Sequence, residues 1–314
     1  MKKASFKKAR VLIIGDIMLD RYYFGEVSRI SPEAPVPIVK VVRTQETLGG
    51  AANVAHNVAH LGAKALLIGI AGDDPEKKQV EAIARRADIS TAFVCDNRPT
   101  VTKTRIIGAH QQMLRMDFEH LHAPAPDTVK KLRLAIKKSI DASDIVVISD
   151  YGKGVCCKEI TSYAVNTATE RKLPVLIDPK SEDWTKYTGC TCISPNFKEF
   201  CQALGTSVAN EDAVIARRAR TLIKKYRIKN VLVTRSEKGM SLVGGRSASH
   251  IHSKAKEVFD VSGAGDTVIA TFSTALASGY SLDEAVNIAN VAAGIVVGKI
   301  GTAPIEYAEL IAAL

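Results

Sequence analysis

Asp260-Val261-Ser262-Gly263-Ala264-Gly265-Asp266-Thr267 puts an acid directly behind a glycine-rich turn, and the run that follows to Gly279 is apolar and rich in small residues. This pattern predicts a buried helix that starts at the turn and stops at a glycine cap. Gly263 and Gly265 let several backbone N–H groups, those of Gly263, Ala264 and Gly265, converge where the positive end of the helix dipole also lies, which suits an anion. Asp266, in the first helical turn, is placed to take a proton from a hydroxyl that attacks a phosphate held there. The octapeptide also reads as an ordinary helix start whose acid complements the dipole. A second small-residue helix, about Leu282 to Val297, carries Ala289-Asn290-Val291-Ala292-Ala293-Gly294, suited to close helix packing or to a flat ring.

Outward from this turn, short apolar runs recur at Val11 to Ile14, Ala65 to Ile70, Ile145 to Ser149, Val175 to Ile177, Thr191 to Ser194 and Val231 to Thr234, with amphipathic stretches between them. Strands alternating with helices predict an α/β fold, a three-layer sandwich around a mostly parallel sheet with its sites at the carboxyl ends of the strands. Tyr22 to Thr44 breaks the rhythm: Pro32, Pro35 and Pro37 interrupt it before the alternating Ile38 to Val42. Such a segment predicts short edge strands off the main sheet, and Thr100 to Asp117 a second pair. Segments 21–45 and 100–117 are therefore expected to form a small lid on one domain spanning 1–314. The first strand ends at Gly15-Asp16 without Gly-x-Gly-x-x-Gly, and a P-loop is also absent. A nucleotide would need another route of binding.

The 314 residues supply ample apolar material for a core. Lys and Arg number 43 against 33 Asp and Glu, a net charge of +10 that favours anionic partners. Because the basic residues are spread along the chain, phosphorylated small molecules suit them better than nucleic acid or a membrane surface. The one dense run, Lys2, Lys3, Lys7, Lys8 and Arg10, reads as a solvated arm. Neither Cys156-Cys157 nor the Cys190 and Cys192 pair has zinc-site spacing, and with Cys95 and Cys201 these thiols are expected to be reduced. No apolar run reaches the roughly 18 residues of a membrane span, and a cytosolic location is expected.

Further constellations carry chemistry. Gly49 and Gly50 open a helix bearing Asn53, so amides and a side-chain amide converge, and Asp16 and Asp20 are carboxylates that can accept from vicinal sugar hydroxyls. A turn before a packed helix and a capping acid explain these residues equally well. His56 and His60 lie four apart with no third ligand nearby, and read as packing or surface residues. Asn196 and Glu199, after a strand, can hold hydrated magnesium and nucleotide phosphates, or form a capping box. Thr234, Ser236 and Gly239 follow another strand and can line a phosphate groove.

Together these residues resemble the ribokinase-like carbohydrate kinases: Gly-Ala-Gly-Asp at 263–266, Gly-Gly with Asn53 at 49–53, Pro-Asn-x-x-Glu at 195–199 and Thr-x-Ser-x-x-Gly at 234–239 stand in that family's order across the chain. The stretches GDIMLDRY at 15–22, SRISPEAPVP at 28–37, IDPK at 177–180 and TRSEKGMSL at 234–242 resemble the D-glycero-β-D-manno-heptose-7-phosphate kinases more closely. The resemblance implies phosphorylation by ATP and Mg²⁺ of the anomeric hydroxyl of heptose 7-phosphate, on the route to ADP-heptose and lipopolysaccharide cores. Asp266 would be the base, with Gly263, Ala264 and Gly265 as the anion hole. Asn196, Phe197, Lys198 and Glu199 would serve ATP, Asn196 and Glu199 holding the metal through water. Thr234, Ser236 and Gly239 would line the nucleotide groove, with Asn290 near adenine. Asp16, Asp20, Gly49, Gly50 and Asn53 would hold sugar hydroxyls beside Asp178, and Lys103, Arg105 and Lys180 would face the 7-phosphate. The edge strands expected in the lid, Tyr22 to Thr44, can pair across a two-fold axis, so a homodimer is expected through the lid, and a monovalent-cation requirement is left open. Ser194 departs from the family's Asn-Pro-Asn. The chain reaches Leu314 without a nucleotidyltransferase motif, so kinase activity alone is expected. The alternatives are a kinase for another sugar or nucleoside, and a non-catalytic sugar-phosphate sensor.

Overall fold

In the computed structural model, residues 5–109, 111–255, 257–299 and 301–314 are described. The first third of the chain contains β1 (Arg10–Gly15), β2 (Ile17–Ile30), β3 (Pro37–Gly50), α1 (Ala51–His60), β4 (Lys64–Ala71), α2 (Pro75–Arg86) and β5 (Ser90–Cys95). There follow β6 (Thr102–Gly108), β7 (Gln111–Phe118), α3 (Pro126–Ile140), β8 (Ile145–Ser149), α4 (Lys158–Glu170), β9 (Val175–Asp178), β10 (Cys192–Ile193) and α5 (Phe197–Leu204). The last third adds α6 (Asp212–Tyr226), β11 (Asn230–Thr234), β12 (Met240–Gly244), β13 (Ala248–Ile251), α7 (Ala264–Ala277), α8 (Leu282–Val296) and α9 (Tyr307–Ala313).

The larger sheet has nine strands in the order β13-β12-β11-β10-β9-β8-β1-β4-β5. All pairs are parallel except β11 with β12 and β12 with β13. Its strands are apolar on both faces because both are covered. Val11 and Ile13 of β1 enter one core with α1, α7 and α8, while Leu12 and Ile14 enter the other with α3, α4 and α6. The ribokinase-like three-layer arrangement expected from the sequence is the observed one, and every strand named from the sequence is present. The antiparallel end, β12 and β13, and the edge strand β5 were not anticipated, since none of the three is a long apolar run.

The smaller sheet has the order β3-β2-β6-β7 and is built from the two segments expected to stand off the main sheet. Its form differs from the expectation of short strands: β2 and β3 are 14 residues each and pair as one long hairpin. Pro32 and Pro35 fall in the hairpin turn and Pro37 at the first position of β3, where no ladder donor is lost. Register shifts after Phe24 and Val27 absorb the local irregularity. The hairpin leaves and rejoins the main body at one place, because Asp16 is the only residue between β1 and β2 and β3 runs directly into α1 at Gly50. Gly50, at φ 57°, makes that return possible; a Cβ there would meet the Asp16 carbonyl oxygen at 2.4 Å.

Candidate active site

α7 begins at Ala264 behind Gly263, whose φ of 75° turns the chain into the helix. The Ala264 amide is used on the Val261 carbonyl at 3.2 Å. Of the three expected anion-hole donors, this leaves the amides of Gly263 and Gly265 without acceptors among the described residues. The next residue, Asp266, is buried. Each of its oxygens accepts one hydrogen bond: Tyr151 Oη donates to Oδ1 at 2.6 Å and Asn53 Nδ2 to Oδ2 at 2.7 Å. Burial pushes the Asp266 carboxyl up to about 6, against the two donors that favour its ionised form. A base that is ionised just below neutral pH, with fixed orientation, is what proton abstraction from a hydroxyl requires.

Asn53, expected to hold a sugar hydroxyl, reaches Asp266 from the first turn of α1 and gives one amide proton to it. Tyr151 was not anticipated. It follows β8 in the turn Asp150-Tyr151-Gly152-Lys153-Gly154, whose glycines adopt φ of 69° and 105°. Two glycines just past a strand's carboxyl end were the available signal. Asp16 holds this turn: Oδ2 accepts the amides of Tyr151 at 2.9 Å and Lys153 at 3.0 Å, and Oδ1 that of Val155 at 3.0 Å. Asp16 was expected to receive sugar hydroxyls; three of its roughly four acceptor directions are taken by these backbone donors, which fix the loop that carries Tyr151, and one on Oδ1 stays open.

Asp20 lies four residues further on, in β2, where Arg105 Nη1 meets Oδ1 at 2.6 Å and a Cβ on Gly49 would meet Oδ2 at 2.5 Å. β2 and β6 run parallel, setting Asp20 beside Lys103 and Tyr22 beside Arg105. Lys103 is part-buried, and its ammonium is pushed down by burial and up by Asp117 and Asp20. Lys153, paired with Glu119 at 2.7 Å, adds a further cation to this rim. Lys180 is tied to a carboxylate outside the lid. Its ammonium pairs with Glu199 at 3.2 Å, while its Cγ lies 3.8 Å from where a Cβ on Gly152 would stand, beside the turn that carries Lys153. Asp178 is pushed well up by burial, then by Asp266 and Glu199.

Asn196 and Thr234 form a parallel bridge, so the two expected nucleotide turns are adjacent. Asn196 Oδ1 accepts the Glu199 amide at 2.9 Å and Glu199 Oε2 accepts the Asn196 amide at 3.0 Å, a capping box that leaves Oε1 for Lys180. Phe197 packs against the core and Lys198 is exposed. Ser236 adopts φ 54°, and Gly239 is sterically required, since a Cβ there would lie 2.0 Å from the Ile251 carbonyl oxygen. Arg235 fastens this turn through Asn210, Asp212 and Ser241. Asn290 donates to the His252 carbonyl at 2.7 Å, and with Gly294 lets the 252–255 segment lie close on α8. His56 and His60 face each other at 3.1 Å, with His60 Nδ1 on Glu306 at 2.7 Å.

The profile of the family described as "pfkB family carbohydrate kinase" matches residues 8–307. "Bifunctional protein HldE" of Gluconacetobacter diazotrophicus is 46% identical over 312 residues, 98% of this chain and 64% of that protein. The chain thus spans a little under two thirds of that relative's length. "D-beta-D-heptose 7-phosphate kinase" of Bordetella bronchiseptica is 45% identical over 304 residues, 96% of this chain and 95% of that one. Among solved structures, phosphofructokinase-2 from Escherichia coli in complex with potassium aligns with a TM-score of 0.81 at 19% identity, covering 98% of this chain and 97% of that one. Arabidopsis thaliana ribokinase complexed with ribose and ATP aligns with a TM-score of 0.75 at 19% identity, covering 98% of each. At such identities these two establish the fold.

Proposed function

The chain belongs to the pfkB family of carbohydrate kinases, and on that premise we propose that it phosphorylates the anomeric hydroxyl of D-glycero-β-D-manno-heptose 7-phosphate with ATP. The product is the 1,7-bisphosphate, and the reaction belongs to ADP-heptose supply for lipopolysaccharide cores. The observation that carries this reading is the clamp on Asp266, a buried carboxylate held by Tyr151 and Asn53 directly behind the Gly263 and Gly265 amides. The sugar oxygen attacks the γ-phosphorus, the bond to the β–γ bridging oxygen breaks, ADP leaves, and Asp266 takes the hydroxyl proton. The two amides face the charge that develops on the transferring group.

The cationic rim of Lys103, Arg105 and Lys153 sits over the acid-lined floor, which suits a sugar whose far end carries a phosphate. Asp20, with one oxygen on Arg105, keeps the other for a sugar hydroxyl beside Gly49. On the nucleotide side, Thr234, Ser236 and the Asn196 turn line the groove with Lys180. The mutual repulsion of Asp178, Glu199 and Asp266 is the environment a divalent cation relieves; of the expected pair Asn196 and Glu199, Asn196 has its side-chain oxygen on the Glu199 amide, so Glu199 with Asp178 would hold magnesium there through water. When bound, magnesium supplies charge neutralisation on the nucleotide phosphates. The lid exposes Val41 and Val42 on β3 and Met113, Leu114 and Phe118 on β7, both edge strands, and these support pairing with a second copy of the chain. A monomeric mass at micromolar concentration would remove that part of the reading. Among the described residues no helix is long and apolar enough to cross a membrane, and we place the reaction in the cytosol.

The test is ATP consumption with heptose 7-phosphate, ribose, fructose 6-phosphate and adenosine, the product read by phosphorus NMR. An anomeric phosphate on the heptose alone is expected; turnover of another compound in its place would discard the heptose assignment. Asp266→Asn is expected to lose at least ~100-fold in turnover while still binding the sugar phosphate. Near-normal turnover would discard the base.

A further inference from the structure

Asn53 can serve Asp266 only in one of its two amide orientations. Its NH₂ end donates to the carboxylate at 2.7 Å; rotated by half a turn, its carbonyl oxygen would face a carboxylate oxygen at the same distance. What fixes the orientation lies one helical turn further on. The backbone N–H of Ile305, on the segment leading into α9, can only donate, and it donates to Asn57 Oδ1 at 3.1 Å. The Thr267 hydroxyl donates to the same oxygen at 3.1 Å. Asn57 Nδ2 must therefore point the other way, where it meets two acceptors of Asn53, the backbone carbonyl at 2.9 Å and Oδ1 at 3.3 Å. The polarity of a backbone amide is passed through two side chains to the reacting carboxylate. Asn53, Asn57, Thr267 and Ile305 are each no more than 1% exposed, so water is not at hand to satisfy a wrong orientation.

We propose that Asn57 is a positioning residue for phosphoryl transfer, locking the Asn53 amide with its NH₂ group on Asp266. The proposal rests on the reading of Asp266 as base. The other groups facing Asp266 are Tyr151 from the loop after β8, Asp20 from β2, Lys103 from β6 and Asp178 from β9, and none of them touches Asn57.

The experiment is a carboxyl-carbon NMR titration of Asp266 in aspartate-labelled protein, assigned by its loss in Asp266→Asn. It is run for wild type, Asn57→Leu, Asn53→Ala and the double variant, alongside the pH profile of kcat. With the lock removed, the Asp266 midpoint is expected to rise by about one pH unit in Asn57→Leu, the size of one charge-assisted hydrogen bond, with the acid limb of kcat following. In the Asn53→Ala background, Asn57→Leu should add nothing. An unmoved midpoint in Asn57→Leu, or an equal rise in both backgrounds, overturns the proposal, since a merely structural Asn57 would lower thermal stability without working through Asn53. If the leucine variant does not fold, Asn57→Ser keeps a group for the Ile305 amide but has no amide to orient Asn53, and the same rise is required of it. Turnover retained by Asp266→Asn would sink the base assignment separately, because the titration reads the lock without reference to catalysis.

Discussion

Tyr151→Phe removes one hydroxyl and nothing else from the clamp on Asp266. The lost contact is a 2.6 Å O–H···O⁻ bond, the short kind formed to a charged acceptor, worth about 1.5–3 kcal/mol. That bond favours the ionised carboxylate, so its loss raises the Asp266 midpoint from about 6 by roughly one to two units. The raised group is a base only above its midpoint, and activity is therefore lost from the acid side. At pH 6 the ionised fraction falls from one half to about 9% or 1%, a loss of about 5- to 50-fold in kcat/KM, and by pH 9 the variant recovers to within about twofold of wild type. Tyr151 itself cannot be the source of the limb, since burial and then Asp266 push its hydroxyl well above its usual value near 10. The assay is kcat/KM for the sugar phosphate between pH 5 and 9 at saturating ATP, with Asp178→Asn as a control for its neighbouring carboxyl. A loss equal at every pH would refute the argument: Tyr151 would then act by packing, or the limb would belong to another group.

Asp16→Asn must turn an NH₂ group toward at least one of three buried amides, a cost of about 1–3 kcal/mol, and should lower both Tm and kcat by loosening the Tyr151 loop. A raised KM for sugar with unchanged Tm would instead make Asp16 a substrate ligand. Lys103→Ala is expected to raise KM for the sugar phosphate by about 10- to 100-fold with KM for ATP unchanged, and Lys180→Ala to do the reverse; steady-state kinetics on both substrates decides between the two lysines. Gly265→Ala has open space for its methyl group and gains helix propensity of up to ~1 kcal/mol, so Tm should hold or rise. Its kcat should nonetheless fall, because the methyl sits beside an amide aimed at the phosphoryl group, and full activity would argue against that amide's role.

The main sheet was legible because doubly covered parallel strands are continuous apolar runs, and Val11 to Ile14 or Ile145 to Ser149 are largely β-branched and too short for a buried helix. The base was legible for a local reason: glycines and an acid at a helix start are adjacent in sequence. What escaped was the set of residues whose roles depend on polarity at a distance. Asp16, Asp20 and Asp178 look alike as acids near strand ends, yet Asp16 faces three amides, Asp20 faces an arginine, and Asp178 feels the carboxyls of Asp266, Glu199 and Asp150 against the ammonium of Lys180. The first therefore has three of its roughly four acceptor directions claimed by backbone donors, and the other two keep more capacity for a ligand. The same holds for cations: Lys103 and Lys180 are equivalent in the sequence until β6 pairs with β2 and puts the former beside Asp20, while the capping box of α5 leaves one free Glu199 oxygen for the latter. Sequence identifies which groups can carry charge at the site. How each is oriented and how much of it stays free depends on backbone donors as well: Tyr151, Lys153 and Val155 reach Asp16, and Ile305 reaches Asn57, which in turn orients Asn53, and the side chains of these donors give no hint of it.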